Sequence, residues 1–189
     1  CRERRFIPEE ACPEGYETDL FDEHAVHFGA FAGQEQMIGA VRLILPTCEK
    51  FPLESRCADF SFAQGPFRRE ACAEISRLTI SRHFRRLFWE ERAASSEPAV
   101  GSGEILRHVS PLTLGLCHAL FLECRELGIN HCFALMEKPL WMLLRLHGFV
   151  FAPIGAEIDY YGKVTPYAID VIALEKSGLF GAASAPTLS

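Results

Sequence analysis

The sequence predicts an α+β domain in which a mixed central β-sheet is flanked by helices. Three observations support this fold class. Strand-like segments crowd the first 80 residues, a long apolar-faced helix follows near residue 111, and a second helix near residue 139 leads into further strands. The chain has 189 residues, 49% of them hydrophobic, which suits a single domain. We expect that domain to span residues 1–180, with residues 181–189 as a flexible tail.

The N-terminal half reads as three strands. Residues 24–31 and 37–45 are rich in β-formers and flank a polar turn, which predicts an antiparallel hairpin ended by Pro46. A third strand is predicted over residues 71–80, with side chains alternating along it. The segments predicted to be irregular are 7–18, 47–69 and 91–104, and residues 1–6 are predicted to end a helix.

The C-terminal half contains the clearest helix. Ser110 is a candidate N-cap, Pro111 suits the first helical position, and Gly128 suits the end of the helix. A second helix is predicted from Pro139 to Gly148. The segments predicted as strands are 131–136, 149–153, 158–161 and 167–174.

Composition and charge narrow the functional class. No apolar run approaches the ~20 residues that a membrane span needs, and the charged start of the chain is unlike a signal peptide. The absence of an initiator Met suggests that the natural N-terminus lies upstream of Cys1. The formal net charge of −6 argues against a general nucleic-acid binder.

The eight cysteines show no C-x-x-C pair and no spacing typical of zinc, so we expect no metal site. Cys117 and Cys124 lie seven residues apart, on one helical face, and are expected to point into the core. Free thiols that pack as small hydrophobes are typical of a reducing cytoplasm, which is the expected location.

Arginines are concentrated between residues 68 and 92, although the protein is acidic. This segment has seven arginines against four glutamates. The pattern indicates either a docking site for an anionic partner or an ordinary solvated surface. The arginines that would form the docking site are Arg68, Arg69, Arg82, Arg85 and Arg86.

Charged residues in three separate segments form the candidate site. Arg42 lies mid-strand among apolar residues, where a guanidinium needs carboxylate partners. Glu74 and Arg77 are three apart on one strand, so they face opposite sides of the sheet unless a bulge intervenes. The simplest arrangement packs an acidic loop against the arginines, either as a polar-substrate site or as a surface ion-pair network. The loop carboxylates are Glu17, Asp19 and Asp22.

Three motifs follow one another in the first half of the chain: Glu-x-Asp-x-x-Asp, then Arg-Leu, then Glu-Ile-Ser-Arg. This pattern closely resembles that of the acyl-homoserine-lactone (autoinducer) synthases and the N-acyl amino acid synthases. Residues 14–24 look most similar to acyltransferases associated with PEP-CTERM/exosortase systems. The resemblance covers roughly residues 1–174 and implies a GNAT fold. In such enzymes an acyl thioester lies in a V-shaped opening beside the third-strand motif, and an amine attacks its carbonyl.

One departure from the resembled families, and one feature that the chain shares with them, refine this expectation. Phe6 stands where the lactone synthases carry a Trp, which weakens the prediction of an S-adenosylmethionine pocket. The segment before the long helix, residues 106–111, lacks the glycines with which common GNAT enzymes bind the coenzyme A pyrophosphate. The resemblance therefore implies an acyl carrier protein as donor in preference to acyl-CoA, and no tightly bound cofactor. The basic segment would dock this acidic partner.

The resemblance implies an N-acyltransferase that makes an N-acyl amino acid from a small amine acceptor. Glu74, or a water that it holds, would be the base, and the backbone of residues 74–80 would stabilise the oxyanion. Arg42 and Arg77 would hold the acceptor's carboxylate or brace the acidic loop. The residues expected to line the acyl-chain pocket are Trp141, Met142, Leu144 and Phe149. The alternatives are a lactone synthase that uses S-adenosylmethionine, and a binding module without turnover.

Overall fold

The computed structural model describes residues 18–33, 36–63, 65–84, 86 and 111–180. Within them a mixed sheet has the strand order β1-β2-β3-β4-β7-β5, with β6 paired to β7. The strands are β1 (Ala25–Ala32), β2 (Gln36–Ile44), β3 (Cys72–Ile80), β4 (His131–Met136), β5 (Ala152–Pro153), β6 (Ile158–Asp159) and β7 (Lys163–Asp170). The helices are α1 (Pro52–Arg56), α2 (Pro111–Glu126), α3 (Lys138–Leu146) and α4 (Val171–Lys176).

Each face of the sheet is covered by its own core cluster, so the central strands bury apolar side chains on both sides. On the face that we call the helical face, Val41 and Leu43 of β2 pack with Leu116 and Leu120 of α2 in one core cluster. Helices α3 and α4 contribute to the same cluster. None of the described helices is long and apolar enough to cross a bilayer.

The opposite face, which we call the phenylalanine face, is covered by the segment between β2 and β3. Phe133 of β4 is fully buried there, and four further phenylalanine rings lie within 6.5 Å of it or of one another. These rings belong to Phe51, Phe60, Phe62 and Phe67. Such edge-to-face contacts stabilise a core in the absence of a long helix.

Two predictions of local structure are wrong. The segment predicted as a strand over residues 167–174 changes to helix after Asp170, because the Asp170 side chain accepts a hydrogen bond from the Ala173 backbone N–H and so begins α4. The segment 47–69, predicted to be irregular, contains the short helix α1. The predictions for residues 1–17, 91–104 and Ser110 lie outside the described residues.

The central pair of strands separates partway along its length. Strands β3 and β4 pair in parallel from Cys72–His131 to Ile75–Ala134, and no further. Strand β3 nevertheless continues to Ile80 and β4 continues to Met136. The two strands therefore diverge after Ile75, which produces the V-shaped opening that the resemblance implied.

A β-bulge lies in β3 at the start of this opening. Arg42 of β2 pairs with Ser76 and Ala40 pairs with Thr79, so two residues of β3 oppose Val41 alone. Arg77, the first of them, has a φ of 55°. A non-glycine residue in this left-handed conformation is strained by about 1–2 kcal/mol, and such strain is typical of functional sites. The simple alternation predicted for β3 therefore ends at Ser76.

Candidate active site

The bulge brings the two arginines of the candidate site onto one face of the sheet. Regular alternation would turn Arg77 toward the helical face, away from Arg42 and Ser76. Instead, Arg77 Nη1 donates to Asp22 Oδ1 at 2.8 Å and Arg77 Nη2 donates to Asp19 Oδ2 at 2.9 Å. The strained backbone thus allows both guanidinium groups to bind the same pair of carboxylates.

Arg42 is the buried centre of this cluster. It is only 4% exposed, and its Nη1 donates to Asp19 Oδ1 at 2.7 Å and to Asp22 Oδ1 at 2.6 Å. Its Nε donates to Ser76 Oγ at 2.8 Å, a contact that sequence reasoning missed. The signal was available, because Ser76 lies within the Glu-Ile-Ser-Arg motif. We refer to Asp19, Asp22, Arg42, Ser76 and Arg77 together as the charged cluster.

The acidic loop is held in shape by its own backbone. The Asp19 N–H donates to Asp22 Oδ2 at 2.8 Å, and the Phe21 N–H donates to Asp19 Oδ1 at 2.9 Å. Leu20, between them, is 89% exposed among the described residues. The carboxylates are therefore oriented by hydrogen bonds and by the two arginines. Glu17 lies outside the described residues.

Asp22 accepts hydrogen bonds from both arginines and from the Asp19 backbone N–H. Burial alone would raise the pKa of its carboxyl, but the Asp19 N–H and the two arginine side chains outweigh burial and lower the pKa below its usual value. The same carboxylates raise the pKa of Arg42 despite the burial of its guanidinium. Both groups are therefore ionised throughout the neutral range.

This arrangement predicts an acid-sensitive contribution from Asp22. Its folded pKa is lower than its unfolded pKa, so the stabilisation is complete above the unfolded value and is lost as pH falls through the folded value. We expect Asp22→Asn to lower the free energy of unfolding at pH 7 by about 1.5–3 kcal/mol. We also expect the variant to lose less stability than the wild type between pH 4 and pH 2.

Urea denaturation across that pH range measures both effects. Glu23→Gln is the matched control, because it removes a carboxylate from the adjacent, exposed position. The interpretation is wrong if both variants change stability equally, or if Asp22→Asn retains the wild-type acid dependence.

Glu74 lies on the same face of β3, deeper beneath α1. It is 2% exposed, and its Oε2 accepts a hydrogen bond from the Leu53 backbone N–H at 2.9 Å. Among the described residues, no hydrogen bond is directed to its Oε1. Burial raises the pKa of Glu74 to about 8, although the Leu53 N–H and the charge of Arg42 act in the opposite direction. Such a carboxyl can exchange a proton near neutral pH.

An apolar cavity of about 250 Å³ occupies the opening between β3 and β4 and continues under the helical face. Residues 75–78 of β3 form one wall, and Ala134, Leu135 and Met136 of β4 form another. Helices α2, α3 and α4 close it from above. The lining is almost entirely hydrocarbon and thiol, which suits an alkyl chain.

The residues predicted to form the acyl-chain pocket lie in two environments. Leu144 and Phe149 line the cavity. Trp141 does not, because its indole N–H donates to the Phe151 carbonyl at 2.9 Å and its ring stacks on Tyr167. Met142 is 52% exposed on α3. Sequence reasoning missed three cysteines in the lining, although the seven-residue spacing of Cys117 and Cys124 placed both on the inner face of α2. The third is Cys132.

The basic residues proposed for docking differ in their availability. Arg69 is bound internally: its Nη1 donates to the Pro46 carbonyl at 2.6 Å, and its Nη2 donates to the Cys48 carbonyl at 2.7 Å. Its guanidinium also lies 4.7 Å from the Phe51 ring centroid. Arg68, Arg82 and Arg86 are exposed. Arg85 lies outside the residues described.

The described part of the chain contains no group of three or more His, Cys, Asp or Glu side chains that could hold a metal ion. Its six described cysteines are free, and five of them are buried. Burial raises the pKa of the Cys117 thiol to about 12, so this cavity-lining thiol remains protonated at neutral pH.

Comparisons with known proteins concern the fold. A family model described as an acetyltransferase (GNAT) domain matches residues 1–92. No curated protein sequence matches the chain significantly.

Several solved structures share the fold. BjaI, a CoA-dependent acyl-homoserine lactone synthase with SAM and isopentyl-CoA, is 21% identical with a TM-score of 0.61, covering 96% of this chain and 80% of its own. MesI, another CoA-dependent acyl-homoserine lactone synthase, is 22% identical with a TM-score of 0.56, covering 89% and 74%. FeeM, an N-acyl amino acid synthase from uncultured soil microbes, is 19% identical with a TM-score of 0.58, covering 92% and 91%. These matches confirm the predicted GNAT fold.

Proposed function

We propose that this chain, which has the fold of the GNAT acyltransferases, transfers a fatty acyl group from a thioester to the amine of an amino acid or a similar small acceptor. The observation that carries the proposal is the position of the bulged segment of β3. Residues 76–77 contact the charged cluster on the phenylalanine face, and residues 75–78 line the apolar cavity. A polar acceptor and an alkyl chain can therefore meet at one strand.

The charged cluster suits a zwitterionic acceptor. Two guanidinium groups and two carboxylates lie within hydrogen-bonding distance of one another, so the surface offers both signs of charge. The acceptor's carboxylate would bind beside Arg77, whose side chain is 21% exposed. Its ammonium would face Asp19, the more exposed of the two carboxylates. Both partners are fixed beforehand, which lowers the entropic cost of binding.

The transfer step needs an unprotonated amine. Glu74, directly or through a water at Oε1, would take one proton from the acceptor ammonium, since its pKa of about 8 suits exchange near neutral pH. The amine nitrogen then attacks the thioester carbonyl carbon. The C–N bond forms, the C–S bond breaks, and the sulfur leaves as a thiolate that takes up the amine's second proton. The backbone of residues 76–78, facing the opening, would stabilise the oxyanion.

The acyl donor that we propose is an acyl carrier protein. Arg68 lies just before β3, and Arg82 and Arg86 follow its C-terminal end; all three are exposed and carry the charge that an acidic carrier would recognise. Residues 106–111 lack the glycines of a pyrophosphate-binding turn, which also favours this donor. Acyl-CoA is the second candidate, because BjaI and MesI are both CoA-dependent synthases.

Mass spectrometry tests the function and the donor together. The protein is incubated with acyl carrier protein or acyl-CoA, each with pooled amino acids or with S-adenosylmethionine. An N-acyl amino acid formed from acyl carrier protein supports the full proposal. A product formed from acyl-CoA alone overturns the proposal that the donor is acyl carrier protein. A product that forms only with S-adenosylmethionine identifies a lactone synthase. If the acyl group stays on its donor in every mixture, the protein is a binding module without turnover.

Charge reversal at the docking surface gives a second test of the donor. Arg68→Glu is expected to raise the KM for acyl carrier protein about fivefold at low salt, with kcat unchanged, because a peripheral charge steers association. The effect should fade as salt increases. Lys176→Glu on α4 is the matched control and should leave KM unchanged. Equal effects of both variants would exclude a local docking site.

The proposal extends to the setting in which the enzyme works. The six free cysteines are compatible with the reducing cytoplasm, where fatty acyl carrier proteins occur. Residues 14–24 resemble acyltransferases of PEP-CTERM/exosortase systems. We therefore propose that the product is sought in such a system.

A further inference from the structure

The closed end of the apolar cavity contains two cysteines in contact. Cys124 Sγ of α2 lies 3.4 Å from Cys132 Sγ of β4. The two residues are 1% and 2% exposed, and both line the cavity. Ile169 of β7, which pairs with Cys132, and Leu174 of α4 also line this end of the cavity and are buried, so these apolar side chains close it together with the two thiols.

The opposite end of the cavity lies beside the charged cluster. Ser76 and Arg77 line it there, at the bulge, and Met136 and Leu140 form the other side. Farther from the bulge, toward the start of β3, the two strands are paired, and Cys132 of β4 lies opposite Ala73 of β3 there. A chain cannot pass between the strands in this part of the sheet. An alkyl chain entering at the bulge can therefore advance between the sheet and the helices only as far as Cys132.

Two independent elements measure the length of this path. Four residues of β4 separate Met136 from Cys132, which is about 13 Å along a strand. Seven residues of α2 separate Cys117 from Cys124, about 10 Å along a helix. Extended covalent chains advance about 1.2 Å per bond, since three backbone bonds span 3.3–3.6 Å. The path therefore holds about nine to eleven bonds.

We propose that Cys124 and Cys132 set the acyl chain length, and that this protein selects saturated acyl groups of about ten carbons. The inference rests on the proposed acyltransferase function, because it assigns the cavity to the acyl group. The mechanism is steric: each methylene that fits gains contact with the lining, and each further one meets the two thiols. Overpacking a closed core is unfavourable.

Binding of free fatty acids tests the length limit without any need for turnover. Dissociation constants are measured for saturated acids from C6 to C16 by displacement of a fluorescent fatty acid. Affinity should increase about fourfold per methylene up to about C10 and then stop increasing or fall. A steady increase through C16 would overturn the proposal.

Two matched variants locate the limit. Cys124→Ala removes one sulfur from the closed end and is expected to move the break upward by one or two carbons. Leu140→Ala removes more volume at the open end and should weaken all long acids by a similar factor, with the break unmoved. If Cys124→Ala leaves the break in place, or if Leu140→Ala moves it equally, the two thiols do not set the length.

Acyl transfer by the same variants separates this inference from the function on which it rests. If fatty acids show the length limit but no donor of any length is turned over, the acyltransferase proposal fails and the length limit stands. If transfer occurs and its optimum is the same in wild type and in Cys124→Ala, the function stands and the length inference fails.

Discussion

Glu74→Gln is expected to make the protein more stable at pH 7 and at the same time to lower turnover by about 10²-fold or more. The stability effect follows from burial. The pKa of Glu74 is raised to about 8 in the folded chain, whereas its ordinary value is 4.5. The folded state therefore retains a proton that the unfolded state releases, and folding is opposed by about 3 kcal/mol at pH 7.

The sign of the pH dependence is fixed by that shift. For a group whose folded pKa is raised, stability is highest below pH 4.5 and declines as pH increases to about 8. Gln has no proton to release, and its side-chain oxygen can still accept the hydrogen bond from the Leu53 N–H. The advantage of Glu74→Gln should therefore be small at pH 4.5 and largest near pH 8.

Denaturant unfolding at several pH values and single-turnover acyl transfer measure the two effects. Glu70→Gln, an exposed carboxyl just before β3, serves as the control and should change neither. Increased stability with normal turnover would support the raised pKa of Glu74 but would show that Glu74 is not the base. Reduced stability at pH 8 would contradict the raised pKa itself.

Arg77 provides the second large effect, because its backbone strain and its guanidinium can be altered separately. We expect Arg77→Ala and Arg77→Gly to lower turnover by about 10²-fold alike, since either change releases the acidic loop and loses a charged contact to the acceptor. Ala keeps the left-handed strain, whereas Gly adopts a φ of 55° without it. The free energy of unfolding of the Gly variant should accordingly be about 1 kcal/mol higher than that of the Ala variant.

Thermal or urea unfolding of the two variants measures that difference, and acyl transfer measures the common loss. Arg125→Ala is a suitable control, because this arginine forms an ion pair with Glu175 on the surface, away from the bulge. Should the Ala variant equal the Gly variant in stability, the strain assigned to Arg77 is absent. Should either variant keep full turnover, Arg77 has no part in the reaction.

The wrong strand prediction at the C-terminus shows one limit of local patterns. Residues 167–174 are apolar apart from Asp170, and three of them are β-branched, a composition that suits a buried strand and the inner turn of a helix equally. What ends β7 is one side-chain hydrogen bond at Asp170. The short helix α1 has local signals that were missed: Pro52 stands at its start, and the Glu54 side chain accepts a hydrogen bond from the Phe51 N–H. Only the contact of the Glu74 carboxyl with the Leu53 N–H, from a strand 21 residues away, is invisible to a local pattern.

Part of the candidate site could be predicted from the sequence and part could not. That Arg42 would require carboxylate partners follows from a charge set among apolar residues, so the sequence alone indicates it. The acidic partners were expected because three carboxylates close together in sequence need positive charge nearby, and the GNAT fold was implied by the resemblance of the motifs to known synthases. Those inferences depend on residue type and order, which the sequence contains in full.

The tertiary structure decided which side chains contact one another. Arg77 reaches the phenylalanine face only because pairing with β2 slips by one residue, and such a slip depends on the partner strand. Arg69 is bound to loop carbonyls that the chain supplies some 20 residues earlier. The cavity and its two thiols exist because β3 and β4 part after Ile75 while three helices close over them. Sequence order specifies the groups available for chemistry, but their relative positions depend on long-range packing.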